Sequence, residues 1–355
     1  MGNFKNYKKR VMKELLKIKE HLSNIIFTNK NNIRIINLKR NLVISGNSGN
    51  VQIVRYIPFI FAIIIVIILG LTVPNFLTIG NIINVLLQAS ALGLMAIGIS
   101  IVLIGGGIDL SIPSLMGLSG VLGAIFMRNG GNPVIAVFLM LGVCILGGSI
   151  NGLAVGYLKM VPFVVTFATM TAAMGTSLIL TKAVSIGNLP HIFIDTILAK
   201  LWGIPAPVIF LILITVIATL LVSNSLYGRW LYAIGTNIET SQVCGIPVSR
   251  IIFFNYVIAG LFAGLAAIVT TARLQAGAAT IGGEVVVLDV IASAVVGGVS
   301  IYGGAGSILG AVFGAIIITL INNIMNLMHV SYYMTIVVKG FIIIAVVALS
   351  TFRKR

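Results

Sequence analysis

Two aspartates could carry chemistry in this chain, because each stands in a long apolar stretch. Asp109 lies in V-L-I-G-G-G-I-D-L-S-I-P-S-L-M-G, and Asp289 lies in G-G-E-V-V-V-L-D-V-I-A-S-A-V-V-G-G. If such stretches cross a membrane, a charged group inside them is costly, and a functional role is the first hypothesis. Each carboxylate could carry a proton or a sodium ion, or it could accept hydrogen bonds that cap or bridge helices. The residues alone leave both explanations open.

The residues around Asp109 predict a helix that is interrupted and then restarts. Three glycines at 105–107 break the first helix, and small hydroxyl residues with Pro113 follow. Asp109 is placed to cap the helix that restarts at 111–114. Asp109, Ser111 and Asp289 are therefore the candidate residues of a helix break or a translocation pathway.

A polar island at residues 224–250 lies between two apolar runs. Within it, 237–245 predicts a short helix, because Asn237 is a good N-cap and Gly245 a natural end. Glu239 stands in the first turn, where an anion suits the helix dipole. A short exposed helix between two spans would let a membrane subunit respond to force from a soluble partner. An ordinary solvated loop is the simpler alternative.

Sequence signatures of enzyme chemistry are missing from the chain. It has no G-x-x-x-x-G-K-[ST] segment, so it cannot hydrolyse ATP through a P-loop, and it has no G-x-S-x-G elbow. His21, His191 and His329 are too far apart to make a zinc motif. We therefore predict no catalytic residue, no metal site and no cofactor.

Composition predicts the class of fold. The 355 residues are 59% hydrophobic and 8% charged, with a mean hydropathy of +1.14, whereas soluble domains are about 25% charged. The chain is therefore predicted to be an all-α polytopic membrane protein. Its apolar runs predict about ten transmembrane helices, at 57–74, 82–104, 110–127, 133–158, 162–182, 206–223, 251–272, 286–301, 304–326 and 332–351.

The distribution of basic residues predicts domains and orientation. Residues 1–55 hold 12 of the 23 Lys/Arg and form a basic N-terminal extension, while 56–355 form the transmembrane domain. If the extension is cytoplasmic, 18 basic residues lie inside and 4 outside, as the positive-inside rule requires. Both termini and the polar island are then cytoplasmic, and 185–205 becomes an outer loop whose residues 192–202 could form a surface helix.

The net charge of +16 could indicate nucleic acid as a partner, but its concentration in one segment argues for membrane lipid instead. Residues 11–22 place apolar side chains on one helical face among lysines, as in a basic amphipathic helix. A disordered basic tail fits the composition equally well.

Small-residue stripes predict how the helices pack. Glycines four residues apart let two helices approach closely in a membrane. Asp109 and Asp289 also stand in similar segments on opposite sides, which suggests an inverted repeat. The stripes comprise Gly148, Gly152 and Gly156, then Gly306, Gly310 and Gly314, and the pair Gly260 and Gly264.

Five motifs follow one another along the chain: G-G-I-D-L-S at 106–111, M-V-P-F-V-V-T at 160–166, Y-G-R-W-L-Y-A-I-G-T-N-I-E-T-S-Q-V-C-G-I at 227–246, L-D-V-I-A-S-A-V-V-G-G-V-S-I-Y-G-G-A-G-S at 288–307 and N-N-I-M-N-L-M-H-V-S at 322–331. Together, over residues 57–351, they resemble the permease subunit of ABC importers of the ribose/xylose/galactose type.

The resemblance implies a type II ABC importer fold in the bacterial cytoplasmic (inner) membrane. It also implies a second permease copy, in a homo- or heterodimer, a cytoplasmic ABC ATPase and an extracytoplasmic sugar-binding protein. The segment similar to the family's E-A-A-x-x-x-G motif makes up the expected ATPase-coupling loop, with Gly235, Asn237, Glu239, Thr240, Ser241 and Gly245.

The expected function is therefore import of a monosaccharide or related polyol by a subunit that is not itself an enzyme. The few charged residues in the membrane fit a neutral substrate. The alternative is an ion-coupled secondary transporter in which Asp109 and Asp289 carry protons or sodium. A membrane-embedded enzyme is a further alternative, but the sequence lacks a clustered set of acid and base residues.

Overall fold

The computed structural model describes residues 73–331 and 333–341. The predicted extension at 1–55, with its amphipathic segment at 11–22, lies outside the described residues. So do nearly all of the first predicted span, 57–74, and the end of the tenth, 332–351.

Helices make up most of the described chain, and a two-stranded hairpin and one 3-10 turn accompany them. Residues 333–341 are also helical. The remaining elements are α1 Ile79–Ile104, α2 Ile112–Arg128, α3 Pro133–Gly156, α4 Pro162–Thr181, α5 His191–Ile197, β1 Lys200–Leu201, β2 Ile204–Pro205, α6 Ala206–Asn224, α7 Leu226–Thr236, α8 Ile238–Val243, α9 Val248–Leu274, the 3-10 turn Ala279–Gly282, α10 Glu284–Val296 and α11 Ile308–Leu327.

Several helices begin where a short polar side chain can accept a hydrogen bond from the first turn. Thr78, Asn132, Ser225 and Ser307 do this for α1, α3, α7 and α11. Pro133 follows Asn132 at the first helical position, where its missing N–H costs nothing. These local signals mark the starts of the four helices.

Six of the described helices are long and apolar enough to cross a membrane: α1, α3, α4, α6, α9 and α11. The apolar helix α2 has 17 residues and α10 has 13. The predicted all-helical membrane fold is therefore confirmed. The predicted number of about ten transmembrane helices is not established by the described residues.

Two sequence predictions about helix extent are wrong. The predicted spans 286–301 and 304–326 run too far, because 297–307 is a loop in which Gly298, Gly303, Gly304 and Gly306 take positive φ values. Consequently Gly306 does not belong to the predicted stripe, whereas Gly310 and Gly314 do lie in α11.

The outer segment 192–202 forms a helix only in part. The helix α5 ends at Ile197, and β1 then pairs with β2 in antiparallel register. The two residues between the strands, Trp202 and Gly203, both have positive φ, as a tight type I′ hairpin requires.

The helix α1 forms the centre of the bundle. Its side chains are buried from Ala89 to Ile104, and α9, α11, α10 and α6 pack around it. By contrast, most residues of α3, α4 and α6 are only partly buried or are exposed. A helix that is apolar on its exposed faces suits a lipid environment.

The predicted glycine stripes of α3 and α9 pack against each other. A Cβ on Gly148 would overlap the carbonyl oxygen of Tyr256, and a Cβ on Gly260 would overlap that of Cys144. Two backbones that approach so closely need glycine at both positions. The stripes thus fix the most extensive helix contact in the bundle.

Candidate functional site

The polar island folds as two short helices joined at one residue. The N–H of Asn237 donates to Ala233 O at 3.0 Å and so ends α7, while Asn237 Oδ1 accepts from the N–H of Thr240 at 2.8 Å and begins α8. Its end is a turn in which Gly245 takes φ +79°. The predicted capped helix at 237–245 is therefore present, with α8 itself spanning Ile238–Val243.

The helix α8 presents most of its side chains outward. Glu239, Thr240 and Gly245 are exposed, whereas Ser241 is buried and donates through Oγ to Asn237 O at 2.8 Å. Val243 is 89% exposed. Acidic, hydroxyl and bulky apolar groups on one small surface are what a docking partner can recognise.

Behind α8, the polar island is packed against two glycine-rich segments. Gly235 lies against Ile104 O at the end of α1, where a Cβ would overlap that oxygen. The N–H of Gly304, in the 297–307 loop, donates to the same Ile104 O at 2.9 Å. Tyr232 Oη donates to Gly306 O at 2.9 Å. A displacement of α7 and α8 therefore acts directly on the end of α1 and on the loop before α11.

Burial raises the pKa of the Tyr232 and Tyr227 phenols above their usual range. Both hydroxyls therefore keep their protons and act as donors, Tyr232 to the 297–307 loop and Tyr227 to Asn255 Oδ1 at 2.7 Å. These two hydrogen bonds connect α7 to the 297–307 loop and to α9, and both persist throughout the neutral pH range.

The glycine break between α1 and α2 contains Asp109, which is 2% exposed. Its Oδ1 accepts from the N–H of Ser111 at 2.9 Å and from Ser111 Oγ at 2.6 Å. The described residues offer no partner for Oδ2. Asp109 thus accepts from Ser111, the N-cap residue of α2, and not from a residue within the first turn of α2.

Hydrogen bonds continue from Ser111 into two more helices. Asn151 Nδ2 on α3 donates to Ser111 Oγ at 2.8 Å, and Thr169 Oγ1 on α4 donates to Asn151 Oδ1 at 2.6 Å. Tyr256 Oη on α9 donates to Ile108 O at 3.2 Å. The break is therefore held from three sides, and its shape depends on α3, α4 and α9.

Asp289 belongs to a different cluster. Its Oδ2 accepts from Lys339 Nζ at 2.9 Å and from Asn322 Nδ2 at 3.1 Å, and both ionic partners are buried. The pair joins α10 to α11 and to the helical segment 333–341. No hydrogen bond among the described residues links this cluster to Asp109, so the two aspartates do not form one site.

Sequence reasoning missed Asn151, Thr169 and Tyr256, which hold the glycine break, and Lys339, which pairs with Asp289. Polar residues within predicted spans were the available signal, because such groups are rarely left against lipid. The contacts of these residues could not be predicted from the sequence, because the contacting segments lie up to about half the chain length apart.

Among residues 73–331 and 333–341, no group of three His, Cys, Asp or Glu side chains could hold a metal ion. The candidate site consists of the exposed capped helix and the polar helix break behind it, and the buried Asp289–Lys339 ion pair is a separate cluster. On an all-helical membrane bundle, these features define a multi-pass membrane protein with a short, capped helix exposed at one surface.

Comparison with known proteins gives the family. Residues 81–347 match the model for the branched-chain amino acid transport system / permease component, and the chain belongs to this family. It is therefore a permease component of the bacterial inner membrane and not an enzyme.

Three relatives show the range of similarity. The chain is 39% identical to the ribose import permease protein RbsC of Bacillus subtilis, over 82% of this chain and 91% of the relative. It is 37% identical to the D-allose transport system permease protein AlsC of Escherichia coli, over 82% and 89%. It is 32% identical to the L-arabinose transport system permease protein AraH of Escherichia coli, over 80% and 86%. No solved structure matches the chain.

Proposed function

We propose that this chain is the membrane-spanning subunit of an ABC importer that carries a monosaccharide or a related polyol into the cytoplasm. The observation that carries the proposal is α8, an exposed and capped helix whose supporting residue Gly235 lies directly against the end of α1. The relatives that import ribose, allose and arabinose favour this function over the ion-coupled alternative.

In this proposal Gly235, Asn237, Glu239, Thr240, Ser241 and Gly245 form the ATPase-coupling loop. Closure of a partner ATPase pushes on α8, and α7 passes the displacement to Ile104 and to the 297–307 loop. The break with Asp109 and Ser111 is the next segment to move, because a Cβ on Gly106 would be in van der Waals contact with Gly235. The helices that flank the break then tilt, and the translocation pathway opens to the opposite face of the membrane.

The proposed topology places the N-terminal extension, 1–55, and the C-terminus in the cytoplasm, and 56–355 as a transmembrane domain of about ten helices. The packing supports this arrangement. The break at 105–107, the polar island and the 297–307 loop are all expected on the cytoplasmic side, and all three are in contact.

An inverted repeat is also part of the proposal. The helices α2 and α10 run in opposite directions in the proposed topology, and each begins after an irregular segment. Their starts meet, since Ser114 Oγ donates to Gly282 O at 3.1 Å. Two such helices meeting within the membrane would mark the level at which substrate passes.

The proposed partners are a cytoplasmic ABC ATPase, an extracytoplasmic sugar-binding protein and a second permease copy. The sequence has no P-loop, so the energy of ATP must come from another chain. Membrane lipid surrounds the exposed apolar faces of α3, α4 and α6, apart from whatever area the second copy covers.

The energy source gives the first test. Uptake of ribose into proteoliposomes that contain this chain, the ATPase and the binding protein is expected to require ATP. It should continue when ionophores collapse the proton and sodium gradients, because Asp289 is neutralised by Lys339 and is not free to carry an ion. Loss of uptake with ionophores at constant ATP would establish the ion-coupled alternative.

A second prediction separates a structural Asp109 from an ion-carrying one. Asp109→Asn keeps an acceptor for Ser111 and should reduce uptake and thermal stability only slightly. Asp109→Leu leaves the Ser111 N–H without its acceptor, at a cost of about 1–3 kcal/mol in unfolding free energy. Thermal unfolding and uptake of both variants decide the matter, and a stable Asn variant that loses as much uptake as the Leu variant contradicts the structural role.

A further inference from the structure

The hairpin before α6 exposes apolar side chains at its tip. Trp202 is 95% exposed, so the described part of the chain leaves its indole ring almost uncovered. Leu201 and Ile204 face each other across the two strands, and both are exposed, so they form one apolar face of the hairpin. Lys200 is exposed beside them. A tip with this composition is suited to a surface where apolar and charged groups meet.

The turn gives Trp202 an unusual conformation. Its φ is +52°, in the left-handed region, which is uncommon for a bulky side chain. Turns of this type usually place asparagine or aspartate there, followed by glycine, and Gly203 follows here with φ +81°. The conformation costs energy, and contacts among the described residues do not offset that cost because they leave the ring uncovered. The ring is therefore expected to contact something outside the chain.

The base of the hairpin is joined to a membrane helix. Pro205, the last residue of β2, is buried, and Ala206 begins α6. The N–H of Ala206 donates to Ala199 O at 2.7 Å and closes the base. The helix α6 is long and apolar enough to cross a membrane, and most of its residues are only partly buried or are exposed. The hairpin therefore lies at the end of a membrane span, at one face of the bilayer.

The length of α6 sets the level of the hairpin in that face. Its 19 residues extend about 28 Å, which only just matches the hydrocarbon thickness of about 30 Å. The start of α6 therefore lies at the edge of the hydrocarbon. The headgroup region beyond that edge is about 5–8 Å thick on each side, and the two-residue strands rise by about 7 Å. The tip of the hairpin is thus within reach of lipid headgroups.

We propose that this hairpin anchors the chain in the lipid headgroup region, with the Trp202 ring at the boundary between headgroups and acyl chains. Tryptophan is enriched at that boundary because its ring is apolar and its N–H can donate to headgroup oxygens. The Lys200 ammonium is then near the lipid phosphates, and Leu201 and Ile204 contact the upper acyl chains. An anchor at this level fixes the depth and tilt of α6. Anchoring needs neither ATP nor sugar, and it does not depend on which face of the membrane is outside.

Tryptophan fluorescence tests the anchor, because Trp230 is the only other tryptophan of the chain. In Trp230→Phe all tryptophan emission comes from Trp202. The full chain is placed in phosphatidylcholine nanodiscs whose acyl chains carry bromine either near the headgroup or near the methyl end. The bromine near the headgroup is expected to quench the emission at least about twofold more, because the ring lies about 15 Å from the bilayer centre. The emission should also be blue-shifted from that of free tryptophan in water.

A matched control calibrates the depth. Leu146 lies near the middle of α3 and is exposed. In a chain with Trp202→Phe and Trp230→Phe, Leu146→Trp should show the opposite order, with stronger quenching by the bromine near the methyl end. If Trp230→Phe fails to fold, the difference in quenching between the unaltered chain and Trp202→Phe gives the contribution of Trp202.

Three outcomes overturn the proposal. Emission like that of free tryptophan, unaffected by either brominated lipid, would place the hairpin in water as a surface for a soluble partner. Blue-shifted emission that neither the bromines nor aqueous acrylamide quench would assign Trp202 to a contact between two copies of the chain. Equal or stronger quenching by the bromine near the methyl end would place the ring in the hydrocarbon. None of these outcomes bears on ATP-driven uptake, and a chain that imports no sugar would leave the anchor standing.

Discussion

Gly148→Ala is expected to prevent α3 from packing on α9, whereas the same change at Gly142 on the same helix should be harmless. The new Cβ at Gly148 would overlap the carbonyl oxygen of Tyr256, and backbone atoms cannot move aside as a side chain can. A Cβ at Gly142 would meet nothing within 4 Å. One methyl group therefore has opposite effects at two positions two turns apart.

The expected magnitudes follow from known costs. Overpacking a well-packed core costs about 1–3 kcal/mol, and Gly148→Ala should lie at the upper end because the clash is with backbone. Replacing glycine by alanine inside a helix otherwise gains about 0.5–1 kcal/mol, which is what Gly142→Ala should show. The stability of both variants is measured by thermal unfolding in detergent, with the monodisperse fraction on size-exclusion chromatography as the readout. Equal stability of the two variants would contradict the packing of α3 on α9.

Much of this architecture could be predicted because the signals are local. A run of about 20 apolar residues specifies a membrane helix whatever its neighbours are, and the predicted ends of α3 and α4 differ from the observed ones by no more than two residues. Asn237 likewise caps α8 through a hydrogen bond to a residue three positions away. The glycine stripes predict which helix faces pack together, because a close approach of two helices requires glycine at those positions.

What could not be predicted depends on contacts between distant segments. The loop at 297–307 reads as part of two apolar spans, and it is irregular because Gly304 bonds to Ile104 O and Tyr232 bonds to Gly306 O. Asp289 looks like a free acid in the sequence and is neutralised by Lys339, 50 positions later.

Glu239→Arg is expected to abolish most uptake and leave the fold intact. Glu239 is exposed and makes no ion pair among the described residues, so the bundle does not depend on its charge. Reversing that charge in the first turn of α8 costs only about 0.3–1 kcal/mol through the helix dipole. At a docking surface the same reversal opposes a complementary partner and costs several kcal/mol.

The measurement is the ratio of ribose transported to ATP hydrolysed, in proteoliposomes with the partner ATPase and binding protein. A docking energy lower by about 1.4 kcal/mol corresponds to a tenfold loss of association, and the reversal should exceed that. Glu239→Gln is the matched control, because it keeps the size and exposure of the side chain without reversing its charge, and should retain most uptake. Normal transport by Glu239→Arg, at unchanged thermal stability, would show that α8 is a solvated turn and that the ATPase docks elsewhere.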